Sequence, residues 1–338
     1  MPLSGFIRYR RHQVGKQSSF SSNTTATRVL PYRGAPTVNP NATTPDVDTG
    51  SIDVVLPSFF GALEATAPWG GKLAYNDIPY IYALGVMGGV SPTGSATGRV
   101  WTYQAASFTA DPFDTITDEW GDDYSTDVLK LGGGVINDWQ FQFVPTLEAF
   151  DVTANLYFAR AEYSGTFTAG LTVDTTPHWV YGAHTVIYMD SNPAAMGITP
   201  LVDTVHEATF AVNNNLDRKR FANGSNSAWN LVGYGRGPRD ITFTVRVAKT
   251  ATSVAEAQTL TTVPKPTRYF DIKTTSSEII TGGSTPYSNS IRFAAELIAR
   301  ADTEIENNSV IDLTYRGKYD STLGYALRCS VVNTLSSL

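Results

Sequence analysis

The chain has 338 residues, and only 17% of them are charged, against about 25% in an average soluble domain. That length is enough for one large or two ordinary domains with a sizeable core. A net charge of −6 and a single cysteine exclude a globally basic nucleic-acid-binding protein, an internal disulfide framework and a cysteine-cluster metal site. The charge deficit is filled by Thr, Gly, Tyr and Phe, which favour strands and turns.

The first 33 residues contain basic side chains and no acidic ones. The basic residues are Arg8, Arg10, Arg11, Lys16, Arg28 and Arg33. Because the whole chain carries −6 and these six residues are positive, residues 34–338 carry −12. Residues 1–48 lack a periodic apolar pattern, yet they hold apolar anchors such as Phe6, Phe20 and Tyr32. We therefore predict an extended basic N-terminal arm over residues 1–48, ordered against a neighbouring molecule.

The body of the protein is predicted to span residues 49–338. Ile52, Val54 and Leu56 alternate with polar residues, which predicts a strand. Pro57 then begins a run with apolar residues at helical spacing, which predicts one short flanking helix over about 57–66. The apolar stretch 78–90 is too short to cross a bilayer, and the N-terminus lacks the apolar core of a secretory signal. We expect a soluble protein with no membrane partner.

Alternating runs dominate the rest of the chain and predict strands. They lie at 100–108, 136–144, 150–158, 207–212, 240–247, 310–315 and 325–333. The runs 136–144 and 150–158 read as a β-hairpin. The run 291–300 fits a strand or a helix, and its neighbours favour a strand. The fold class is therefore mainly β, a β-sandwich with long inter-strand loops. A loose similarity between 132–158 and 202–247 suggests an alternative division into two similar halves, about 49–165 and 185–338.

Motifs for catalysis or cofactor binding are not evident. The four histidines do not stand at the spacing of a zinc site. The glycine-rich run 233–239 contains Pro238 and is followed by a strand instead of a helix, so it predicts a turn and not a nucleotide loop. We predict no catalytic residue, no metal site, no cofactor and no enzymatic activity.

The densest polar feature is an acidic cluster between residues 111 and 127. Its members are Asp111, Asp114, Asp118, Glu119, Asp122, Asp123 and Asp127. Calcium ligation is one interpretation, although the usual loop pattern is missing. Paired carboxylates for glycoside hydrolysis, with Trp101 and Trp120 stacking on a sugar, are another. A solvated hairpin tip or a negatively charged wall is the favoured interpretation.

Three stretches together resemble a known family. They are Gly50–Leu63, then Leu131–Phe143 followed by Val152–Phe158, and then Glu207–Arg218 followed by Arg239–Val247. In these patterns of strands punctuated by Asn and Gly, the chain resembles tail tube (major tail) proteins of siphovirus-type bacteriophages, which have long non-contractile tails.

The resemblance implies a structural virion protein with a β-sandwich and one flanking helix. It implies that copies of the chain form rings, of six subunits or alternatively three, which stack helically into a tube assembled in the host cytoplasm. Other tail proteins would bind the tube ends. The tape-measure protein and genomic DNA would pass through an acidic lumen without specific binding during DNA ejection. The basic arm residues would contact neighbouring subunits, and the acidic cluster would line the lumen or meet the arm.

The main alternative is a carbohydrate-binding β-sandwich adhesin or receptor-binding tail protein. This interpretation requires Trp101, Trp120 or Trp179 to be exposed around a groove, in a monomer or trimer. A glycoside hydrolase is a third interpretation, and it requires two carboxylates facing each other across a cleft.

Overall fold

The computed structural model of the chain describes residues 10–43, 59–60, 62–105, 112–121, 127–163, 166–202, 204–221, 231–305 and 307–338. The fold is mainly β, with 54% of the described residues in strands and 9% in helices. The described α-helices are α1 (Ile78–Gly85) and α2 (Ala251–Gln258).

The described strands follow in chain order. The first group is β1 (Arg11–Lys16), β2 (Arg28–Leu30), β3 (Thr37–Asn39), β4 (Ala42–Thr43), β5 (Phe59–Phe60), β6 (Glu64–Lys72), β7 (Thr93–Ser95), β8 (Gly98–Tyr103), β9 (Ile116–Gly121) and β10 (Leu129–Phe143). The second group is β11 (Asp151–Phe158), β12 (Arg160–Tyr163), β13 (Thr185–Asp190), β14 (Val205–Asn213), β15 (Leu216–Lys219), β16 (Gly233–Arg236), β17 (Asp240–Ala248), β18 (Thr267–Ile279), β19 (Pro286–Ile305), β20 (Asn308–Lys318) and β21 (Leu327–Asn333).

One antiparallel sheet contains most of these strands. One uninterrupted run through it is β3–β6–β11–β10–β14–β17–β20–β19, and from β19 the sheet continues to β18 and β13 on one side and to β21, β8 and β7 on the other. The strands form because buried apolar and exposed polar residues alternate along them, as in β11 and β17. Consecutive side chains of a strand point to opposite faces, so one face of this sheet is apolar and the other is polar.

Two long strands give the sheet its branches. The first half of β10 pairs with β9, which continues to β1 and β2, while the second half pairs with β14. The first half of β19 lies between β18 and β21, and its second half pairs with β20. The register between β10 and β9 shifts at Leu131/Gly134, where Gly133 has a φ of +67° that glycine adopts without strain.

The sheet curls around α1, and its apolar faces meet in a sandwich-like core. All eight residues of α1 are buried. The Tyr82 ring contacts Trp139 on β10 and Tyr103 on β8, with centroid separations of 5.7 and 5.6 Å. Phe210 on β14 lies 5.1 Å from Phe293 on β19, although β17 and β20 stand between their strands in the sheet. This cross-layer contact is typical of a sandwich.

The predicted flanking helix over about 57–66 is wrong where the structure describes it. Phe59–Phe60 form β5, and β6 begins at Glu64. The reason is that Ala65, Ala67 and Trp69 are buried alternately along an eight-residue ladder with β11. This period of two extends beyond the short apolar run that suggested a helix.

Neither of the two described α-helices was predicted from the sequence. Because α1 is buried on every side, it has no polar stripe to show a helical period. The proline at its N-terminal end, Pro79, was the available signal. Helix α2 carries a capping box in which the Thr250 hydroxyl accepts from the Ser253 backbone and the Ser253 hydroxyl accepts from the Thr250 backbone.

Most strand predictions are confirmed. Residues 136–144 and 150–158 form the hairpin of β10 and β11, and residues 291–300 lie in β19. Cys329 lies fully buried in β21. The predicted strand at 49–56 lies outside the described residues, and so does the end of the one at 100–108. The boundary at residue 48 and the alternative division into halves stay predictions.

Candidate assembly surfaces

The N-terminal segment, residues 10–43, lies on its own body, and its basic residues meet the acidic cluster there. Strand β1 pairs along the whole of β9, from Arg11 opposite Gly121 to Lys16 opposite Ile116. The Lys16 ammonium lies 2.8 Å from an Asp114 carboxylate oxygen. The predicted contact between basic and acidic residues is therefore made within one chain at these positions. Contact with a neighbouring subunit stays a prediction.

The centre of this contact is a buried pair between His12 and Asp118. The Nδ1 of His12 lies 2.8 Å from Asp118 Oδ2, and its Nε2 lies 3.0 Å from the Gly34 carbonyl oxygen. The indole N–H of Trp69 also donates to Asp118 Oδ2, at 3.3 Å. Burial lowers the pKa of His12, but the attraction and hydrogen bond of Asp118 and the Gly34 carbonyl outweigh it, so the pKa is raised.

The other predicted arm residues take different positions. Arg28 donates to Asp77 Oδ1 at 2.8 Å, at the N-terminal end of α1. Burial raises the pKa of Asp77, and the Arg28 guanidinium lowers it by less, so the net direction is upward. The guanidinium of Arg10 stands over the Trp120 ring at 5.3 Å. Arg33 is exposed and bonds to Gly70 through its backbone, while Arg8 lies outside the described residues.

Most of the described carboxylates of the acidic cluster have ion-pair or hydrogen-bond partners within the chain. Glu119 is buried and accepts from Lys130 Nζ at 3.0 Å and from the Thr168 backbone N–H at 2.7 Å. Asp127 is exposed. Asp111, Asp122 and Asp123 lie outside the described residues. Within the described ranges, no three His, Cys, Asp or Glu side chains come together as metal ligands.

A second surface, which we call the polar face, is the outer side of the sheet from β6 to β20. One row of facing residues crosses it through Gly70, Thr153, Gln140, Ala211 and Thr242. These side chains are small or uncharged and at least partly exposed. Sequence reasoning did not single them out, although their alternation with buried residues in 136–144 and 240–247 carried the signal.

Charges on the polar face are held in cross-strand ion pairs. Arg246 binds both Glu207 and Asp312 at 2.7 Å. The hydrogen bond that Arg246 donates to Asp312 is the main cause that raises the pKa of Arg246. Further pairs are Lys72–Asp151 at 2.8 Å, Arg316–Asp240 at 2.9 Å and Lys318–Glu296 at 2.7 Å.

One carboxylate on the polar face lacks a cationic partner. Asp138 instead accepts from the Asn155 amide at 2.6 Å and from the Asn137 amide at 3.0 Å. The described cations of this face are thus each bound by a carboxylate, and the face carries excess negative charge.

Two of the free edges that the sheet leaves within the described residues differ from each other. Residues 298–305 of β19 pair with β20 on one side, and the other side has no ladder partner. At the other end, β3 pairs with β6 alone. Pro36 and Pro40 flank β3, which limits uncontrolled pairing there. Each edge presents unpaired backbone groups that another strand can bind.

The tryptophans of the alternative interpretation do not form an exposed platform. Trp101 is only 1% exposed and donates to Asn333 in the core. Trp120 lies half-buried under Arg10, and Trp179 is half-buried and bridged to Ala74. The described side chains of these three residues therefore do not surround one groove.

The described helices are all too short or too polar to cross a membrane. No protein-family model and no curated protein matches the chain. The functional argument therefore depends on the geometry of the surfaces described above.

Proposed function

We propose that the chain is the structural subunit of a viral tail tube, and that copies of it form stacked rings around a channel for genome ejection. The observation that carries this proposal is the run of paired strands from β3 to β20, which combines a polar outer face with free edges at β3 and at residues 298–305 of β19. Free sheet edges invite association, and closure into a barrel shared between copies removes them.

The two edges favour a ring because they are different from each other. The edge at 298–305 belongs to a hairpin of β19 and β20, whereas the opposite edge is the short β3. A contact between one edge and the other in the next copy is heterologous, and such a contact closes into a ring when the rotation allows it. Six subunits per ring are proposed, with three as the alternative, and the stacked rings would make the tube.

The polar face suits the wall of a channel for DNA. Its cations are already bound by carboxylates, as Arg246 is by Glu207 and Asp312. Phosphate groups would have to displace these carboxylates to gain a contact, so DNA and the tape-measure protein would pass without specific binding. Residues 34–338, with a net charge of −12, add long-range repulsion of the genome.

In this proposal the N-terminal arm supplies contacts between subunits in addition to those on its own body. Exposed Arg33 and half-exposed Lys16 lie on the described part, and Arg8 precedes it. Other tail proteins would cap the tube ends, and the assembled protein would reside in the virion. The buried state of Trp101 makes a carbohydrate-binding adhesin the weaker candidate.

Electron microscopy of the purified full chain in negative stain tests the proposal. We expect rings or tubes with a central channel. A persistent monomer that binds glycans would refute it.

Hydrogen exchange of monomer and assembly then tests the edge contact. Backbone amides of residues 298–305 should exchange at least about tenfold more slowly in the assembly, because pairing protects them. Amides of β10 and β11, which are paired on both sides, serve as the control and should not change.

A further inference from the structure

Both ring nitrogens of one buried histidine face hydrogen-bond acceptors. His12 is 1% exposed, and its Nδ1 and Nε2 lie 2.8 and 3.0 Å from a carboxylate oxygen of Asp118 and the carbonyl oxygen of Gly34. A carbonyl oxygen can only accept, so Nε2 must carry a proton. Asp118 Oδ2 also accepts from the Trp69 indole N–H, an arrangement that suits a carboxylate to which His12 Nδ1 donates as well. The geometry therefore favours a positively charged His12 ring in which both nitrogens carry a proton.

The pair connects four separate parts of the chain. His12 belongs to β1, Asp118 to β9 and Trp69 to β6, while Gly34 follows β2. The second oxygen of Asp118 is buried and has no hydrogen-bond partner. Asp118 therefore depends on His12 and Trp69 for its stabilisation, and a buried charge without such partners is costly.

Among the described residues, His12 is the ion-pair partner of Asp118, and no ion pair joins Asp118 to the exposed Arg33 that precedes Gly34. Tyr32 stacks on Trp69 beside the pair and is uncharged. The other charged groups around β1 are held in ion pairs or stand over aromatic rings. These are Lys16–Asp114, Arg28–Asp77, Lys130–Glu119, Arg10 over Trp120 and Arg11 over Phe167.

We propose that the His12–Asp118 pair is a pH-sensitive contact that holds β1 and β2 on the body while His12 is protonated. When His12 loses its proton, the two strands are released. A neutral imidazole has one N–H for two acceptors, so deprotonation leaves either the carboxylate or the carbonyl without a donor inside the core. The segment that opens carries Arg10, Arg11, Lys16 and Arg28, and opening would offer these cations to another molecule.

The sign of the effect follows from the direction of the pKa shift. Burial lowers the pKa of His12, the Asp118 contacts and the Gly34 carbonyl raise it by more, and it ends above its ordinary value of 6.5. The stabilisation is complete below that ordinary value and is lost as the pH rises through the folded-state pKa. The segment should therefore be closed below pH 6.5 and should open as the pH rises through the folded-state pKa of His12.

Native-state hydrogen exchange of the full chain between pH 6 and 9.5 tests this proposal. After correction for the intrinsic pH dependence of exchange, the opening constant of the β1 amides should rise up to about tenfold per pH unit above the folded-state pKa. Amides of β10 and β11 should show no such rise. An equal rise in both regions, or none in β1, would overturn the proposal.

Two variants separate His12 from other titrating groups. His12→Gln should abolish the pH dependence of β1 opening. His178→Gln is the matched control, because His178 also contacts a carboxylate, Glu278, but lies at the surface. This variant should keep the wild-type profile, and the loss of the profile in it would contradict the proposal.

Imidazole nitrogen NMR of the wild-type chain provides a measurement that requires no variant to fold. At pH 6, below the ordinary pKa of 6.5, the His12 ring should show two protonated nitrogens. A neutral His12 ring at pH 6 would refute the proposal. None of these tests depends on whether the protein forms tubes.

Discussion

Tyr82 on the buried helix α1 donates a hydrogen bond of 2.8 Å to Asn289 Oδ1 on β19, a residue 207 positions further along the chain. The same tyrosine ring packs against Trp139 and Tyr103. This residue therefore connects the helix to both layers of the sandwich-like core.

Tyr82→Phe should lower the free energy of unfolding by about 1–3 kcal/mol, because it leaves the buried Asn289 oxygen without its donor. Urea denaturation followed by tryptophan fluorescence measures the change. Tyr319→Phe is the matched control, since Tyr319 is 61% exposed, and it should change stability by less than about 0.5 kcal/mol. Equal effects of the two substitutions would contradict the assigned role of Tyr82.

Gly85→Ala should destabilise the fold because of a close approach. A Cβ at this position would lie 2.8 Å from Trp139 Cδ1, and that ring is itself packed against Tyr82 and Phe141. Overpacking of this kind costs about 1–3 kcal/mol. Thermal unfolding should show a lower midpoint. Gly233→Ala is the control, because a Cβ there meets nothing within 4 Å, and a similar loss of stability in it would refute the steric explanation.

Cys329 should be inert to thiol reagents until the protein unfolds. Its side chain is fully buried in β21, and burial raises the pKa of its thiol far above the ordinary value. Labelling with a disulfide reagent at pH 8 should be at least about a hundredfold slower in native protein than in 8 M urea. A Cys329→Ala, Ser336→Cys variant places the thiol on an exposed residue and should react at the unfolded rate. Fast labelling of native wild-type protein would contradict the assigned burial.

Truncation of the N-terminus should lower the stability of the protein when it removes β1 and β2. Removal of residues 1–9 leaves all the described elements in place and serves as the reference truncation. Removal of residues 1–36 deletes β1 and β2 together with buried Val14, Leu30 and Tyr32. Each buried apolar side chain contributes about 1.5–3 kcal/mol, so stability should fall by about 4 kcal/mol or more. An arm that folds independently of the body would instead leave both truncations equally stable.

An unpaired cation on the polar face should make assembled tubes bind DNA. Thr242→Arg adds such a cation opposite Ala211 and Arg316, and Asp138→Asn in the same variant removes the unpaired carboxylate that borders the same hollow. Short duplex DNA should bind these tubes at least about tenfold more tightly at low salt than wild-type tubes, and added salt should reverse the effect. Thr322→Arg, on an exposed turn, is the control. If both variants bind DNA alike, the polar face does not line the channel.

Much of the fold follows from local sequence patterns. Alternation of polar and apolar residues predicted β17, β20 and the hairpin of β10 and β11, because a strand with one buried face must repeat every two residues. The same rule missed α1, since a helix enclosed on all sides has no polar stripe. It also failed at residues 57–66, where pairing of β6 with β11 overrides a short apolar run at helical spacing.

The sequence by itself determined that the protein is mainly β, that its cysteine cannot form an internal disulfide, and that a basic N-terminus precedes an acidic body. Only the tertiary structure decided where those charges go. His12 and Asp118 stand 106 residues apart in the chain, yet they share one buried site because β1 pairs with β9. Such pairing depends on long-range register between strands, and composition and local periodicity do not encode it.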